Sequence, residues 1–172
     1  MLRTARLQLR PHTPEDLDDR FALWSHPTTV RYIGGSPLNR EDVWSRLLRS
    51  LGHWQALGFG YFVVHHHQRF LGEVGVADFR RENQHLPGAG EVGWILHPDV
   101  HGQGYALEAV TAVLDWFARP TGCIIHPDNQ ASLKLAAKLD FQCSVTLGIQ
   151  PSLAGRNTEN FTSYTFGTSV SF

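Results

Sequence analysis

The sequence predicts a single mixed α/β domain, one central mixed sheet with helices on both faces. Three observations lead there. A length of 172 residues suits one hydrophobic core, so residues 1–172 are read as one domain. A hydrophobic share of 42% beside 18% charged residues sits close to the globular average, which argues against disorder. Segments with the two-residue period of strands also alternate along the chain with segments of helical period.

The elements follow in order. Residues 4–10 put Leu7 and Leu9 on one face and Arg6, Gln8 and Arg10 on the other, the pattern of a half-buried strand. Thr13, Pro14, Glu15 and Asp16 then start a helix, with a capping hydroxyl, a proline suited to the first turn and acids at the positive end of the dipole. Its expected buried stripe is Leu17, Phe21 and Trp24. Pro27 and the pair Gly34 and Gly35 mark a loop, after which Asn39 and Asp42 cap a second helix with the stripe Val43, Leu47, Leu51 and Trp54. Residues 61–65 and 70–77 form a hairpin around a polar turn, and Gly88 to Gly90 break the chain before a strand over 91–97. Residues 104–118 read as a helix with Leu107, Val110, Leu114 and Phe117 on one side, stopped by Pro120. A short strand over 123–125, a helix opened by Asn129 and two strands around a polar loop at 152–160 complete the order.

Several functional classes lose support at once. Fifteen Lys and Arg against sixteen Asp and Glu leave a formal charge of -1, without the basic excess that drives nucleic-acid binding. Two cysteines, Cys123 and Cys143, form neither a disulfide framework nor a CxxC pair, which suits a reducing cytoplasm. No apolar leader and no long apolar run is present, so neither secretion nor a membrane partner is expected. Ten histidines include His65, His66 and His67 in a row, but neighbours on a strand alternate faces and cannot share one ion. No metal is expected.

The informative stretch is EVGWILHPDVHGQGYALE at 91–108, a strand that passes through a glycine-rich turn into a helix. Glycines let backbone N–H groups converge, and the helix N-terminus adds partial positive charge, so an anion can be held without Lys or Arg. A tight turn alone is the plainer reading of Gly102 and Gly104. The dinucleotide fingerprint lacks its third glycine, and no GxxxxGK[ST] stretch occurs, so NAD and ATP are not expected.

The chain resembles the GNAT N-acetyltransferases, in particular the branch of ribosomal-protein N-terminal acetyltransferases. TARLQLR at 4–10 is similar to the opening strand of that family, and HGQGYALEA at 101–109 to its acetyl-CoA pyrophosphate loop. PDNQAS at 127–132 and KLDF at 138–141 are similar to its next signature. His101 departs from the usual Gln or Arg, Asp140 from the usual Gly, and Ala136 stands where many relatives carry a tyrosine proposed as general acid.

The resemblance implies two central parallel strands that splay apart to admit a pantetheine arm, with acetyl-CoA as the acetyl donor. It implies pairing of that arm with the backbone at Ile95 and Leu96, and a pyrophosphate cradle at His101, Gly102, Gln103, Gly104, Tyr105 and Ala106. Asn129 and Ser132 would line the cofactor near its thioester. The sequence leaves a homodimer open as a partner arrangement.

Acetylating an amine requires a neutral nucleophile, a stabilised oxyanion, a base for the ammonium proton and a leaving thiolate. Glu91 is the first candidate base, directly or through water, and Glu73 the second; Ser132 is the candidate donor to sulfur. Each also has a structural reading, as a surface carboxylate or a first-turn helix hydroxyl. The expected activity is transfer of an acetyl group to a primary amine by direct attack in a ternary complex. The resemblance to the ribosomal-protein branch implies a peptide α-amine as acceptor, and chemistry agrees, because at a pKa of about 8 it offers more neutral nucleophile at pH 7 than a lysine near about 10.4. Small-molecule amines stay open, since Glu73, Glu82 and Glu91 could supply local acidity. The rival reading is a protein of the same fold that binds CoA without transferring acetyl, as a sensor or partner module.

Overall fold

The computed structural model describes residues 1–80, 90–139 and the backbone of 143–147. Short strand β1 (Leu2–Arg3) turns back into β2 (Leu7–Pro11), and Thr4 closes the turn: its N–H donates to the Leu7 carbonyl, and its hydroxyl accepts from Leu7 N–H at 2.9 Å. The strand expected over 4–10 therefore begins at Leu7, because Thr4 and its neighbours are spent on the turn.

Thr13 and Asp16 cap one turn of 3-10 helix over Pro14–Asp16, which runs into α1 (Leu17–Trp24). The Asp16 carboxylate accepts from Thr13 N–H at 2.7 Å and takes both Nη atoms of Arg10, at 2.8 and 2.5 Å. The inward face of this segment differs from the expected stripe. Asp16, Arg20, Leu23 and Trp24 are buried, whereas Leu17 and Phe21 are half-buried. The helix is turned so that charged groups face the sheet, where other charged groups wait for them.

A single helical turn, α2 (Pro27–Val30), lies where a loop was expected; the His26 ring caps it by accepting from Thr28 N–H. Helix α3 (Arg40–Leu57) starts at Asn39, whose side-chain oxygen accepts from Asp42 N–H at 2.8 Å, and buries Val43 and Leu47 as expected. Leu51 and Trp54 are half-buried.

Strands β3 (Tyr61–His66) and β4 (Arg69–Ala77) form the expected hairpin, and β5 (Glu91–Leu96) adds antiparallel to β4. After the glycine turn come α4 (Tyr105–Phe117), β6 (Thr121–Ile125), α5 (Gln130–Lys138) and β7 (Cys143–Leu147). The chain break expected at 88–89, the C-terminal loop at 152–160 and the last expected strand lie outside the described residues. The described strands form one sheet in the order β1 to β7, antiparallel as far as β5 and parallel from β5 to β7.

Two apolar layers hold the sheet. On one face α4 packs Val110, Val113, Leu114 and Phe117 against Leu7, Leu9, Phe62, Val64, Val74 and Val92. Each such side chain contributes about 1.5–3 kcal/mol when fully buried. On the other face α1, α2 and α3 enclose Leu23, Trp24, Val30 and Val43, with Ile95 of β5 packed against them. Among the described residues no helix is long and apolar enough to cross a membrane.

Candidate functional site

The parallel strands β5 and β6 share one registered pair, Glu91 with Gly122, and the Gly122 N–H donates to the Gly90 carbonyl at 3.1 Å. Beyond that pair the strands part. Glu91 thus stands at the vertex of a split that opens toward Leu96. In the antiparallel ladder with β4, the bond from His97 N–H to the Leu71 carbonyl sets the alternation. Glu91, Gly93 and Ile95 turn their peptide groups to β4, and Val92, Trp94 and Leu96 turn theirs to the split. Of the two positions expected to meet a pantetheine arm, Leu96 faces the split, while Ile95 faces β4 and sends its side chain into the α1 and α2 layer.

At the open end, residues Pro98–Val100 make one 3-10 turn and His101 leaves it extended. The His101 ring donates from Nε2 to the Leu96 carbonyl at 3.0 Å, which fixes its tautomer and ties the turn to the end of β5. Gly102 and Gly104 have φ of +75° and +80°, a region that side chains other than glycine resist. Gly104 is the N-cap of α4, so the first-turn N–H groups there lack intrahelical acceptors, and the cap residue has no side chain to bond them. A Cβ built on Gly102 would meet nothing within 4 Å. The turn is an open cradle of backbone donors at a positive helix end, which fits a pyrophosphate, and the split beside Leu96 fits an amide-bearing arm. The Gln103 side chain donates to the Asp99 carbonyl at 3.1 Å and stiffens the turn. Tyr105, the first residue of α4, is buried, and Ala106 is half-buried.

Across the split, Asn129 accepts from Ser132 N–H at 3.1 Å and caps α5. The Ser132 hydroxyl accepts from the indole Nε1 of Trp94 at 3.2 Å. Trp94 therefore links β5 to α5 at the flank of the split, a contact that the sequence does not announce.

The two candidate bases share the sheet face covered by α1 and α3 but stand far apart. Glu91 pairs with Ala77 at one end of β5, and Glu73 pairs with Ile95 near the other, four residues along the strand or about 13 Å. Glu73 is 1% exposed. It accepts from Trp24 Nε1 at 2.7 Å, and its Oε2 lies 3.2 Å from His12 Nε2 and 3.0 Å from Arg20 Nε, within ion-pair distance but off hydrogen-bond geometry. Burial pushes its carboxyl up, but the attraction of Arg20, the contact with His12 and the Trp24 bond outweigh burial and hold it down to about 2. The charged inward face of α1 is explained here: Arg20 is the counter-ion of Glu73. An Asp16, Arg20 and Trp24 spacing around one helical face was the signal available in the sequence.

A further side chain that sequence reasoning missed is Tyr61. It registers with Gly75 on β4, which registers with Gly93 on β5. A Cβ on Gly93 would come 2.0 Å from the Tyr61 hydroxyl oxygen. The two glycines let the phenol cross β4 and set its hydroxyl on the Glu91 face of β5, one residue row from Glu91. Two glycines inside strand patterns were the available sign. Among the described residues no group of three or more His, Cys, Asp and Glu side chains could hold a metal ion. His66 meets the Tyr105 hydroxyl at 3.3 Å, and His67 sits in the turn with φ +54°.

Comparison with known proteins agrees with this geometry. The family described as Acetyltransferase (GNAT) domain matches residues 6–142. An uncharacterized N-acetyltransferase, p20, of Bacillus licheniformis is 27% identical over 150 residues, 82% of each chain. A putative GnaT-family acetyltransferase from Bordetella pertussis superposes with a TM-score of 0.71 at 25% identity, covering 86% of this chain and 92% of its own. Two more distant structures share the fold. One is an acetyltransferase from Salmonella typhimurium that modifies the N-terminal serine of ribosomal protein L7/L12 (TM-score 0.61, 14% identity, 78% and 80% covered). The other is a spermidine N-acetyltransferase from Vibrio cholerae, solved with CoA and spermine (TM-score 0.61, 18% identity, 94% and 90% covered). With the split sheet, the glycine turn and a family match over most of its length, the chain belongs to the GNAT acetyltransferases and is an acyltransferase.

Proposed function

We propose that the protein transfers acetyl from acetyl-CoA to the α-amine of a peptide or protein, with Glu91 as the base. The observation that carries this reading is the position of Glu91 at the vertex where β5 and β6 part, with the anion cradle of Gly102 to Ala106 at the open end. When bound, acetyl-CoA supplies an activated acetyl group. First-turn N–H groups of α4 hold its pyrophosphate, and the gap-facing peptide groups of Trp94 and Leu96 receive the amides of its arm. A neutral amine attacks the acetyl carbonyl carbon; the new C–N bond forms, the C–S bond breaks, and the ammonium proton passes to Glu91 directly or through water. Ser132, held by Trp94 and Asn129, is placed to donate to the departing sulfur. Glu73 is not assigned the base role, since a carboxylate held down to about 2 and enclosed by Arg20, His12 and Trp24 is a poor proton acceptor.

Charge supports this acceptor class. On the face that carries Glu91, Arg20 and Glu73 offset each other, and α3 adds Arg46 over Trp24 and Arg49 over Phe79, while the acids of the covering helices, Asp18, Asp19, Glu41 and Asp42, stand at the helix starts. Burial, with Arg49 and Arg20 nearby, pushes the Arg46 guanidinium below its ordinary value, as expected where cations crowd. Such a face offers a polycation little attraction. It suits a single amine at the end of a chain. Free N-terminal peptides, N-blocked lysine peptides and spermine, offered together at equal concentration, test the assignment by mass spectrometry. Acetylation of the free N-termini is expected; preferential acetylation of spermine or of the blocked peptides would overturn it.

A further inference from the structure

The turn between β1 and β2 reaches across to the first turn of α4. There the Glu108 carboxylate accepts from the Thr4 hydroxyl at 2.5 Å, from Arg6 N–H at 2.9 Å and from Arg6 Nε at 2.7 Å. The Arg6 Cζ then lies over the Tyr105 ring, 4.4 Å from its centre, and its Nη1 donates to the Gln103 carbonyl at 3.1 Å. Among the described residues, one guanidinium nitrogen has no hydrogen bond. Nη2 stands 3.4 Å from where a Cβ on Gly104 would be, on the approach to the glycine turn.

This arrangement is more than a surface ion pair. An exposed Arg and Glu pair contributes about 0–1 kcal/mol in general, yet here two nitrogens of one planar fork and the face of the ring fix the third nitrogen in direction. A guanidinium held this way loses little freedom on binding an anion. Glu108 poses the complementary problem. A carboxylate in the first turn of α4 suits the helix dipole but repels a phosphate at the same helix end. The hydrogen bonds from Thr4 and Arg6 outweigh burial and hold Glu108 below the usual carboxylate range, so it stays charged and stays turned to Arg6.

We infer that Arg6 is a phosphate-binding residue of the acetyl-CoA site, donating from Nη2 to the pyrophosphate while Nε screens Glu108 and Nη1 holds the Gln103 carbonyl. The inference rests on the acetyl-CoA reading above. It makes the β1 and β2 turn a wall of the cofactor site, and it brings a guanidinium to a turn whose own residues 102–104 carry no charge.

Calorimetric titration with CoA at low and high ionic strength tests it, on wild type, Arg6→Ala and Arg6→Lys. Arg6→Ala is expected to weaken CoA about tenfold at low salt, the scale of one charge-assisted hydrogen bond, and to flatten the salt dependence. Arg6→Lys keeps a cation for Glu108 without the fixed third nitrogen, so it should bind between the two and retain the salt dependence; it also serves if Arg6→Ala fails to fold. Unchanged affinity in both variants, or a loss in Arg6→Ala that keeps the full wild-type salt dependence, would overturn the assignment. Wild-type protein that does not bind CoA would instead remove the acetyl-CoA reading itself.

Discussion

The indole Nε1 of Trp94 donates to the hydroxyl of Ser132 at 3.2 Å, so one hydrogen bond spans from the strand that borders the split to the helix on its far side. It orients the hydroxyl and leaves the Ser132 proton free to donate. Removing the hydroxyl leaves a half-buried indole N–H unpaired, at a cost of about 1 kcal/mol.

Ser132→Ala is accordingly expected to lower the melting temperature slightly and to reduce turnover less than the loss of the base does, since a thiolate with an ordinary thiol pKa of about 8.5 already leaves tolerably. Trp94→Phe should reproduce the stability loss. Steady-state kinetics and thermal melts of the two variants check this. A Ser132→Ala enzyme as impaired as Glu91→Gln would assign the hydroxyl a larger role.

Gly104→Val combines two insults at one position. The backbone there has φ +80°, which a β-branched residue resists, and the side chain would lean toward Arg6 on the approach to the first-turn N–H groups. Strain of about 1–3 kcal/mol is expected, together with loss of CoA binding in a protein that still folds. Calorimetry showing wild-type affinity for CoA would remove the turn from the site.

Glu73 links stability to pH. Its folded value of about 2 lies below its ordinary 4.5, so as the pH falls the unfolded chain takes up the proton first. The stabilisation is complete above about pH 4.5 and is lost as pH falls through about 2. Glu73→Gln should cost about 3–5 kcal/mol at neutral pH, since Arg20 is left buried without its counter-ion, and should show a shallower loss of stability on acidification than wild type. Denaturant unfolding between pH 7 and pH 3 measures both. A variant as stable as wild type would mean that the cluster contributes nothing net.

Glu91→Gln should lower turnover by about 100-fold or more at neutral pH, with CoA affinity nearly unchanged and the acidic limb of the pH profile lost. An unaltered profile would pass the proton to water alone.

Much of the fold is legible in the sequence because its signals are local. The helix over Arg40–Leu57 shows its Asn39 cap and its apolar period, and the hairpin at Tyr61–Ala77 shows its alternation and its turn. The glycine turn is legible for the same reason, since strand, Gly102, Gly104 and helix follow one another along the chain. What escapes is every partnership between distant segments. Arg6 and Glu108 are 102 positions apart, Glu73 and Trp24 are 49, and Trp94 and Ser132 are 38. Nothing in the local pattern distinguishes the buried Glu73 from Glu91 at the split, because periodicity gives a face of the strand and not the charges packed on it. The expected stripe on α1 is met in part on the same ground: Trp24 is buried and Leu17 and Phe21 pack against its cluster, but the buried carboxylate draws Arg20 inward as well.

Amine-dependent release of CoA thiol from acetyl-CoA is the most direct test of the central claim, that the split at Glu91 and the cradle at Gly102 to Ala106 together transfer acetyl. Release should depend on a peptide with a free N-terminus and match, mole for mole, acetylated peptide found by mass spectrometry. Tight CoA binding with no release above the acceptor-free rate across peptides and small amines would contradict it, and would leave a GNAT fold that binds the cofactor without transferring its acetyl group.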